Sequence, residues 1–251
     1  MRNLLVWRKL AIPSLVGNIA EPLMWLVAFG YGLGALVGQV SLKAADGSTV
    51  QVPYILFLAS GSICMSAMNA ASFEALYSAF SRMHVQKTWE AILNAPVALD
   101  DVLAGEWLWA ASKATLSGLA ILVVITALGF VASPLALWVV PVIFLTGLAF
   151  AALGLIVTVL APSYDFFMYY FTLLMTPMVL LSGVFFPVEQ LPAAFQAVAA
   201  ALPLAHSVRL VRPLVLGELP ANAILHIAVL LAIALVAYWV ALLLTRRRLL
   251  K

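Results

Sequence analysis

Residues 54–80 read YILFLASGSICMSAMNAASFEALYSAF, a stretch with no proline and one charge, Glu74. About 20 predominantly apolar residues in a helix cross the hydrocarbon core of a bilayer. The stretch is long enough to do so with tilt or to protrude beyond the headgroups. On either side the chain turns polar. Gln39 to Gln51, with Asp46-Gly47-Ser48, reads as a loop. Ser81 to Gly105 carries Arg82, His84, Lys87, Glu90, Asp100 and Asp101. A membrane span with a soluble segment at each end is the unit from which the rest of the chain is read.

Outward from it, further apolar runs cover roughly Ile19–Gly38, Trp107–Val131, Leu135–Leu160, Phe166–Phe186 and Ile224–Thr245. With the first stretch they predict six transmembrane helices in one domain, residues 1–251, an all-α membrane protein. Ala132-Ser133-Pro134 and Ala161-Pro162-Ser163-Tyr164-Asp165 form tight turns between spans. Residues 2–14 alternate Arg2, Arg8 and Lys9 with Leu4, Leu5, Trp7, Leu10 and Ile12, as in a helix lying in the headgroup region; the interfacial element is assigned to 1–18. No small-x-small cleavage site follows it, so the N-terminus is expected to be retained. Residues 187–220 hold helical pieces interrupted by prolines. They are expected to form a re-entrant hairpin or surface helices, with the irregular backbone sheltered by protein.

Composition excludes a water-soluble fold: 65% of the 251 residues are hydrophobic and 9% charged, against roughly 25% charged in soluble domains. The net charge of +3 carries no basic stripe with interleaved aromatics, so no nucleic-acid partner is expected. The cations instead sit at the ends of apolar runs. Arg2, Arg8, Lys9, Arg82, Lys87, Arg246, Arg247, Arg248 and Lys251 fall on one side of the six-span arrangement; Lys43, Arg209 and Arg212 fall on the other. That bias puts both termini and residues 81–105 in the cytoplasm. Cys64 is the only cysteine and reads as a small packing residue.

Candidate functional residues are few. Ser62, Ser66, Ala70 and Glu74 recur every fourth residue on one helical face, which should meet protein or water rather than lipid. The face is either a substrate path or gating interface, or it holds a carboxylate near the headgroups that pairs with a base. Gly30, Gly34 and Gly38 make overlapping GxxxG steps that allow close helix approach; Gly147, Ala151 and Gly154 make a similar stripe. Val85, Trp89, Ile92 and Leu93 fall on one side of a short amphipathic helix, with Gln86, Lys87, Glu90 and Asn94 opposite. An exposed Trp89 there would suit a partner protein or the bilayer surface. His84, His206 and His226 lie on different elements and form no metal motif, and there is no Walker A sequence. No metal, cofactor or catalytic residue is assigned, and no aromatic platform for a sugar is discerned.

Several runs together resemble one family: FGYGLG at 29–34, KTWEAILNAPVALDDVLAGEWLWAASKA at 87–114, PMVLLSGVFFPVEQLP at 177–192 and LPLAHSVRLVRPLVLG at 202–217. They are similar to the ABC-2 transporter permeases, in particular a NodJ-like branch associated with lipooligosaccharide (nodulation-factor) export. The resemblance implies a non-catalytic half-transporter of the bacterial inner membrane. Two copies would pair with two copies of a separate ATPase subunit that holds the ATP and magnesium. It also implies that the segment 81–105 is the coupling element, with Val85, Lys87, Trp89, Glu90, Ile92 and Leu93 seated at the ATPase. Phe185, Phe186, Pro187 and Pro192 would belong to an external hairpin that narrows the exit. The cargo implied is amphiphilic: a lipid-linked oligosaccharide or polysaccharide, or a hydrophobic drug. Two other classes fit parts of the sequence: a secondary transporter using Glu74 and the broken helix before the last span, and an intramembrane transferase using Glu74, His206 or Asp165.

Overall fold

The computed structural model describes residues 3, 20, 23, 24, 26–43, 49–131 and 133–249. The interfacial element expected at 1–18 and the first half of the first expected span therefore lie outside the described residues, apart from a few positions.

Helix α1 (Ala28–Val37) opens with a π-helical turn, Ala28–Leu33. Gly38, with φ of 68°, lets the chain turn into a two-stranded antiparallel hairpin, β1 (Gln39–Lys43) with β2 (Thr49–Pro53). The hairpin takes the place of the loop expected at Gln39 to Gln51, in a chain whose other described elements are helical. Val40 faces Val52 and Leu42 faces Val50, so period-two alternation gives the hairpin an apolar face. Val40 and Val52 are buried. On the other face, Gln51 Nε2 donates to Ser41 Oγ at 2.7 Å.

The remaining elements are helical: α2 (Tyr54–Val85), α3 (Thr88–Leu93), α4 (Leu99–Ala127), α5 (Pro134–Leu160), α6 (Phe166–Leu181), α7 (Ala193–Ala199), α8 (Pro203–Leu216) and α9 (Ala223–Leu249). Among the described residues, α2, α4, α5 and α9 are long and apolar enough to cross a membrane; α1 and α6 are shorter apolar helices. The α7 and α8 axes are bent by 85° at their junction. The protein is thus a multi-pass membrane protein built of helices. Two boundaries differ from the expected ones: α2 runs past Phe80 to Val85, and α4 begins at Leu99 rather than Trp107. The charges that made 81–105 look like one polar segment lie partly on these helix ends, where Arg82 and Glu106 neutralise each other.

Helix α5 is central and packs on α2, α4 and α9. Small residues permit this. A methyl added at Gly147 would come within 2.8 Å of Ala114 Cβ on α4, and one at Gly154 within 2.8 Å of Ala75 Cβ on α2. The α2–α4 seam includes Ser66 Oγ and Ser117 Oγ, 2.7 Å apart. Helix α8 is buried along most of its length and is tied to α5 by Thr146 Oγ1 donating to Ser207 Oγ at 2.9 Å.

The bundle has two ends. At one end stand α3, the start of α4 and the end of α9, joined by Arg246 Nε donating to Asp100 Oδ1 at 3.1 Å and by Arg248 donating to the carbonyls of Val159 and Ala161. At the other stand the hairpin, the start of α2 and the C-terminal part of α8. Here Tyr54 Oη donates to the Phe185 carbonyl at 3.1 Å.

Candidate functional site

The site begins with the corner between α2 and α3. Lys87 takes a left-handed conformation, φ 50°, uncommon for a residue with a side chain. It reverses the chain so that α3 lies against α4. Trp89 is fully buried, at 0% exposure. The expectation of an exposed Trp89 is therefore corrected: its indole points inward and Nε1–H donates to Glu106 Oε1 at 3.3 Å. Ile92 and Leu93 pack against the core beside it. The outer side of α3 presents Lys87 and Glu90, 4.0 Å apart with side chains 69% and 56% exposed, together with Ala91 and Asn94. Val85, assigned to the apolar face from spacing, is instead 64% exposed, because the Lys87 turn breaks the helical register between it and Trp89.

Behind Trp89 lies a buried charge cluster. Arg82 donates from Nε to Glu106 Oε1 at 2.9 Å and from Nη2 to Glu106 Oε2, and its Nη2 also reaches Glu74 Oε1 at 2.9 Å. On the far side of Glu74, Lys113 Nζ donates to Oε2 at 3.1 Å, joined there by Ser78 Oγ at 3.1 Å; Trp109 Nε1 donates to Oε1 at 3.1 Å. Glu74 and Glu106 are 5% and 3% exposed. Among the described residues each carboxylate accepts four hydrogen bonds, and one of those on Glu106 comes from Asn3 Nδ2 at 3.4 Å. Among the described residues two cations, Arg82 and Lys113, face the two carboxylates, and pairing of this kind is the condition for holding charge at membrane depth. The cluster connects α2, α3 and α4.

Two open cavities flank the cluster. One, of about 450 Å³, includes Glu106, Trp109, Ile92 and Asn3; the other, of about 360 Å³, is lined by Glu74, Lys113, Ser78, Phe73, Tyr77 and Ala70. From the second, aromatic rings run across to α6. Phe73 stacks on Phe171 with centroids 4.7 Å apart, and Tyr77 stacks on Tyr164 at 6.0 Å and meets Phe167 edge-on at 5.1 Å. Phe73 and Tyr164 are 46% and 39% exposed. No pattern in the sequence marks this aromatic strip, because α2 and α6 are about 90 residues apart in the chain.

The other candidates are distributed differently. Ser66 faces Ser117 of α4 in the interior, and Ser62 is fully buried, so their face of α2 meets protein within the same chain. Of the GxxxG glycines, a methyl added at Gly30 would come within 2.9 Å of Ile55 on α2, one at Gly34 would lie 3.9 Å from Tyr54, and Gly38 serves the turn into the hairpin. Phe185 and Pro187 lie at the opposite end of the bundle, Phe185 against Phe29 with centroids 5.9 Å apart and Pro187 in a cavity wall. Phe186 follows in the same turn, and Pro192 immediately precedes α7. His206 and His226, expected to lie on different sides, are neighbours with Nδ1 atoms 2.7 Å apart; the short connection from α8 to α9 folds one ring against the other. Among the described residues no group of three His, Cys, Asp or Glu could hold a metal.

Comparison with known proteins gives a consistent result. Residues 2–216 match the family model described as "ABC-2 type transporter". The chain is 50% identical over 250 residues to "Nodulation protein J" of Rhizobium leguminosarum bv. viciae, covering 100% of this chain and 93% of that protein. It is 49% identical over 248 residues to "Nodulation protein J" of Rhizobium meliloti (strain 1021), covering 99% and 91%. To the "Inner membrane transport permease YadH" of Escherichia coli (strain K12) it is 25% identical over 202 residues, covering 80% and 74%.

Proposed function

Since the chain belongs to the ABC-2 type transporter family, we propose that it is the permease subunit of an ATP-driven exporter and moves an amphiphilic cargo out of the cytoplasm or the inner leaflet. Two copies would pair with each other and with two copies of a separate nucleotide-binding ATPase. Both termini and α3 would face the cytoplasm, and the membrane would be crossed six times by α1 with the residues before it, α2, α4, α5, α6 and α9. The bent α7–α8 pair would be a re-entrant element on the external side. Clustering of Arg82, Lys87 and Arg246 to Arg248 at the α3 end, with Lys43, Arg209 and Arg212 at the other, supports that orientation.

The observation that carries the reading is the attachment of α3. A short helix whose outer side is free and whose inner side is anchored through Trp89, Glu106 and Arg82 to Glu74 is suited to pass a push from an outside partner into α2 and α4. Val85, Lys87 and Glu90 would touch the ATPase; Trp89, Ile92 and Leu93 would hold the helix in place. Exposed apolar residues on α1 and α6, such as Tyr31, Leu36, Tyr169 and Leu173, support burial of those faces against a second copy. The aromatic strip from Phe73 to Tyr164 supports a cargo with apolar and ring-stacking surface. Relatives bearing the name "Nodulation protein J" favour a lipooligosaccharide among such cargoes.

The test is co-purification of the tagged protein in mild detergent, with identification of associated chains and an ATPase assay. A stoichiometric P-loop ATPase lost on Glu90→Lys supports the proposal. A chain that emerges alone and inert to ATP rejects it.

A further inference from the structure

At the end of the bundle away from α3 lies a cavity of about 440 Å³, walled by the hairpin, the Ser182–Glu189 segment, α8 and the start of α9. Its size falls within the range of pockets that take small ligands and headgroups. The wall contains a cation that makes no ion pair among the described residues, with Glu189 close enough to act on it only at longer range. Arg212 donates from Nε to Ser60 Oγ at 3.0 Å and from Nη2 to the carbonyls of Phe57 at 3.2 Å and Gly183 at 2.6 Å. Its guanidinium carbon sits 3.7 Å from the centroid of the Phe57 ring. All these acceptors are neutral, and the two N–H groups of Nη1 are left over from the five a guanidinium carries.

Three more groups line the same cavity. Arg209, one turn earlier on α8, is half-buried and makes no hydrogen bond or ion pair among the described residues. Ser182 is 1% exposed, and its Oγ has no hydrogen-bond partner among the described residues. His226 shares Nδ1 with His206, whose Nε2 lies 2.9 Å from the Ala200 carbonyl. A carbonyl only accepts, so in the neutral pair His206 carries its proton on Nε2 and His226 donates from Nδ1. The Nε2 of His226 is then left as an acceptor. Glu189 and Glu218 also line the cavity, but neither pairs with an arginine among the described residues. Apolar surface continues from this region: Leu219, Ile224 and Leu225 are 70%, 85% and 57% exposed.

The geometry points to an anion site in this cavity that holds the phosphate-class headgroup of an amphiphile, with its acyl chain laid along Leu219, Ile224 and Leu225. Arg209 and the free Nη1 of Arg212 supply charge-assisted donors, Ser182 supplies a hydroxyl donor, and His226 accepts from a hydroxyl on the headgroup. The site stands independently of the direction of transport and of the ATPase partner.

The test uses the purified full chain in mild detergent, titrated separately with dioctanoyl phosphatidylglycerol, dioctanoyl phosphatidylcholine and inorganic phosphate. Binding is read by native mass spectrometry and by the shift in thermal unfolding. Phosphatidylglycerol binds saturably and phosphatidylcholine does not; inorganic phosphate competes weakly. Arg209→Gln weakens phosphatidylglycerol binding about tenfold or more while the ligand-free unfolding temperature is unchanged, and Ser182→Ala acts in the same direction. Arg212 is left intact because it ties α8 to α2. Equal binding of the two lipids, or phosphatidylglycerol binding unaffected by Arg209→Gln, overturns the site. Tight phosphate binding without lipid binding marks a free-anion site and overturns the amphiphile.

Discussion

The indole N–H of Trp89 and the Oε1 atom of Glu106 are 3.3 Å apart, and through that contact the short helix α3 is fastened to a carboxylate that Arg82 already holds bidentately. Trp89 thereby belongs to the interior of the protein, while its neighbours Lys87 and Glu90 belong to the surface. Substitutions at adjacent residues should consequently fail in different ways.

Removing the buried ring by Trp89→Ala should lower stability by about 3–5 kcal/mol and loosen α3. Trp89→Phe, which keeps most of the volume and loses only the donor, should cost about 1–2 kcal/mol. Glu90→Lys should leave the unfolding temperature unchanged and weaken capture of the ATPase. Thermal unfolding and co-purification, measured on the same preparations, separate the two effects. Equal loss of stability in Glu90→Lys and Trp89→Ala would contradict the assignment of inner and outer faces.

Glu74 and Lys113 form a second test, since a buried charge is costly when its partner is removed. Glu74→Gln should destabilise by roughly 3 kcal/mol, because it leaves Lys113 facing a neutral group. Lys113→Met should cost less, because Arg82 remains on Glu74. The double variant should be milder than the sum of the two singles by about 1 kcal/mol or more. A double-mutant cycle in unfolding experiments measures this coupling, and strict additivity would show that the two side chains do not interact.

The glycines separate in the same way. Gly154→Ala would press a methyl onto Ala75 at 2.8 Å, whereas Gly34→Ala would meet only Tyr54 at 3.9 Å. The first should destabilise by about 1–3 kcal/mol and the second by less than 0.5 kcal/mol in either direction. Unfolding of the two variants decides it. A larger effect at Gly34 in the assembled transporter than in the isolated chain would locate a second copy at α1.

Orientation is open to direct chemical labelling. Cys64 is the only cysteine and is 1% exposed, so an impermeant maleimide should leave the unaltered protein unmarked. Asn94→Cys on the outer side of α3 should react only after the cytoplasmic side is opened, and Glu189→Cys should react from outside intact cells. The reverse pattern would invert the proposed topology.

The apolar runs were legible from the sequence because spans are written as continuous composition, and the amphipathic segment after α2 was legible because its period survives in a few residues. What holds that segment was not. Glu74 stood out alone, while its partners Lys113 and Arg82 and the second carboxylate, Glu106, looked like ordinary charges at the edges of spans. A signal did exist: Glu74 and Arg82 are eight residues apart on α2, and Glu106 and Lys113 seven apart on α4, so each pair lies on one helical face with complementary order in antiparallel helices. The His206–His226 contact had no such signal, since it depends on the angle between α8 and α9. The β-hairpin was present as Val40, Leu42, Val50 and Val52 in alternation, but a turn-rich loop obscured it.

The complementary order of these charges has a bearing on how the helix pair is aligned. Elsewhere the α2–α4 seam includes small side chains such as Ser66 and Ser117, which by their size do little to resist a slide of one helix along the other. Sliding α4 by a turn would separate Lys113 from Glu74 and Glu106 from Arg82 together; Arg82 and Glu74 would keep each other on α2, but both charged contacts between the helices would be lost. The four charged side chains thus act as a key that selects one alignment of the two helices.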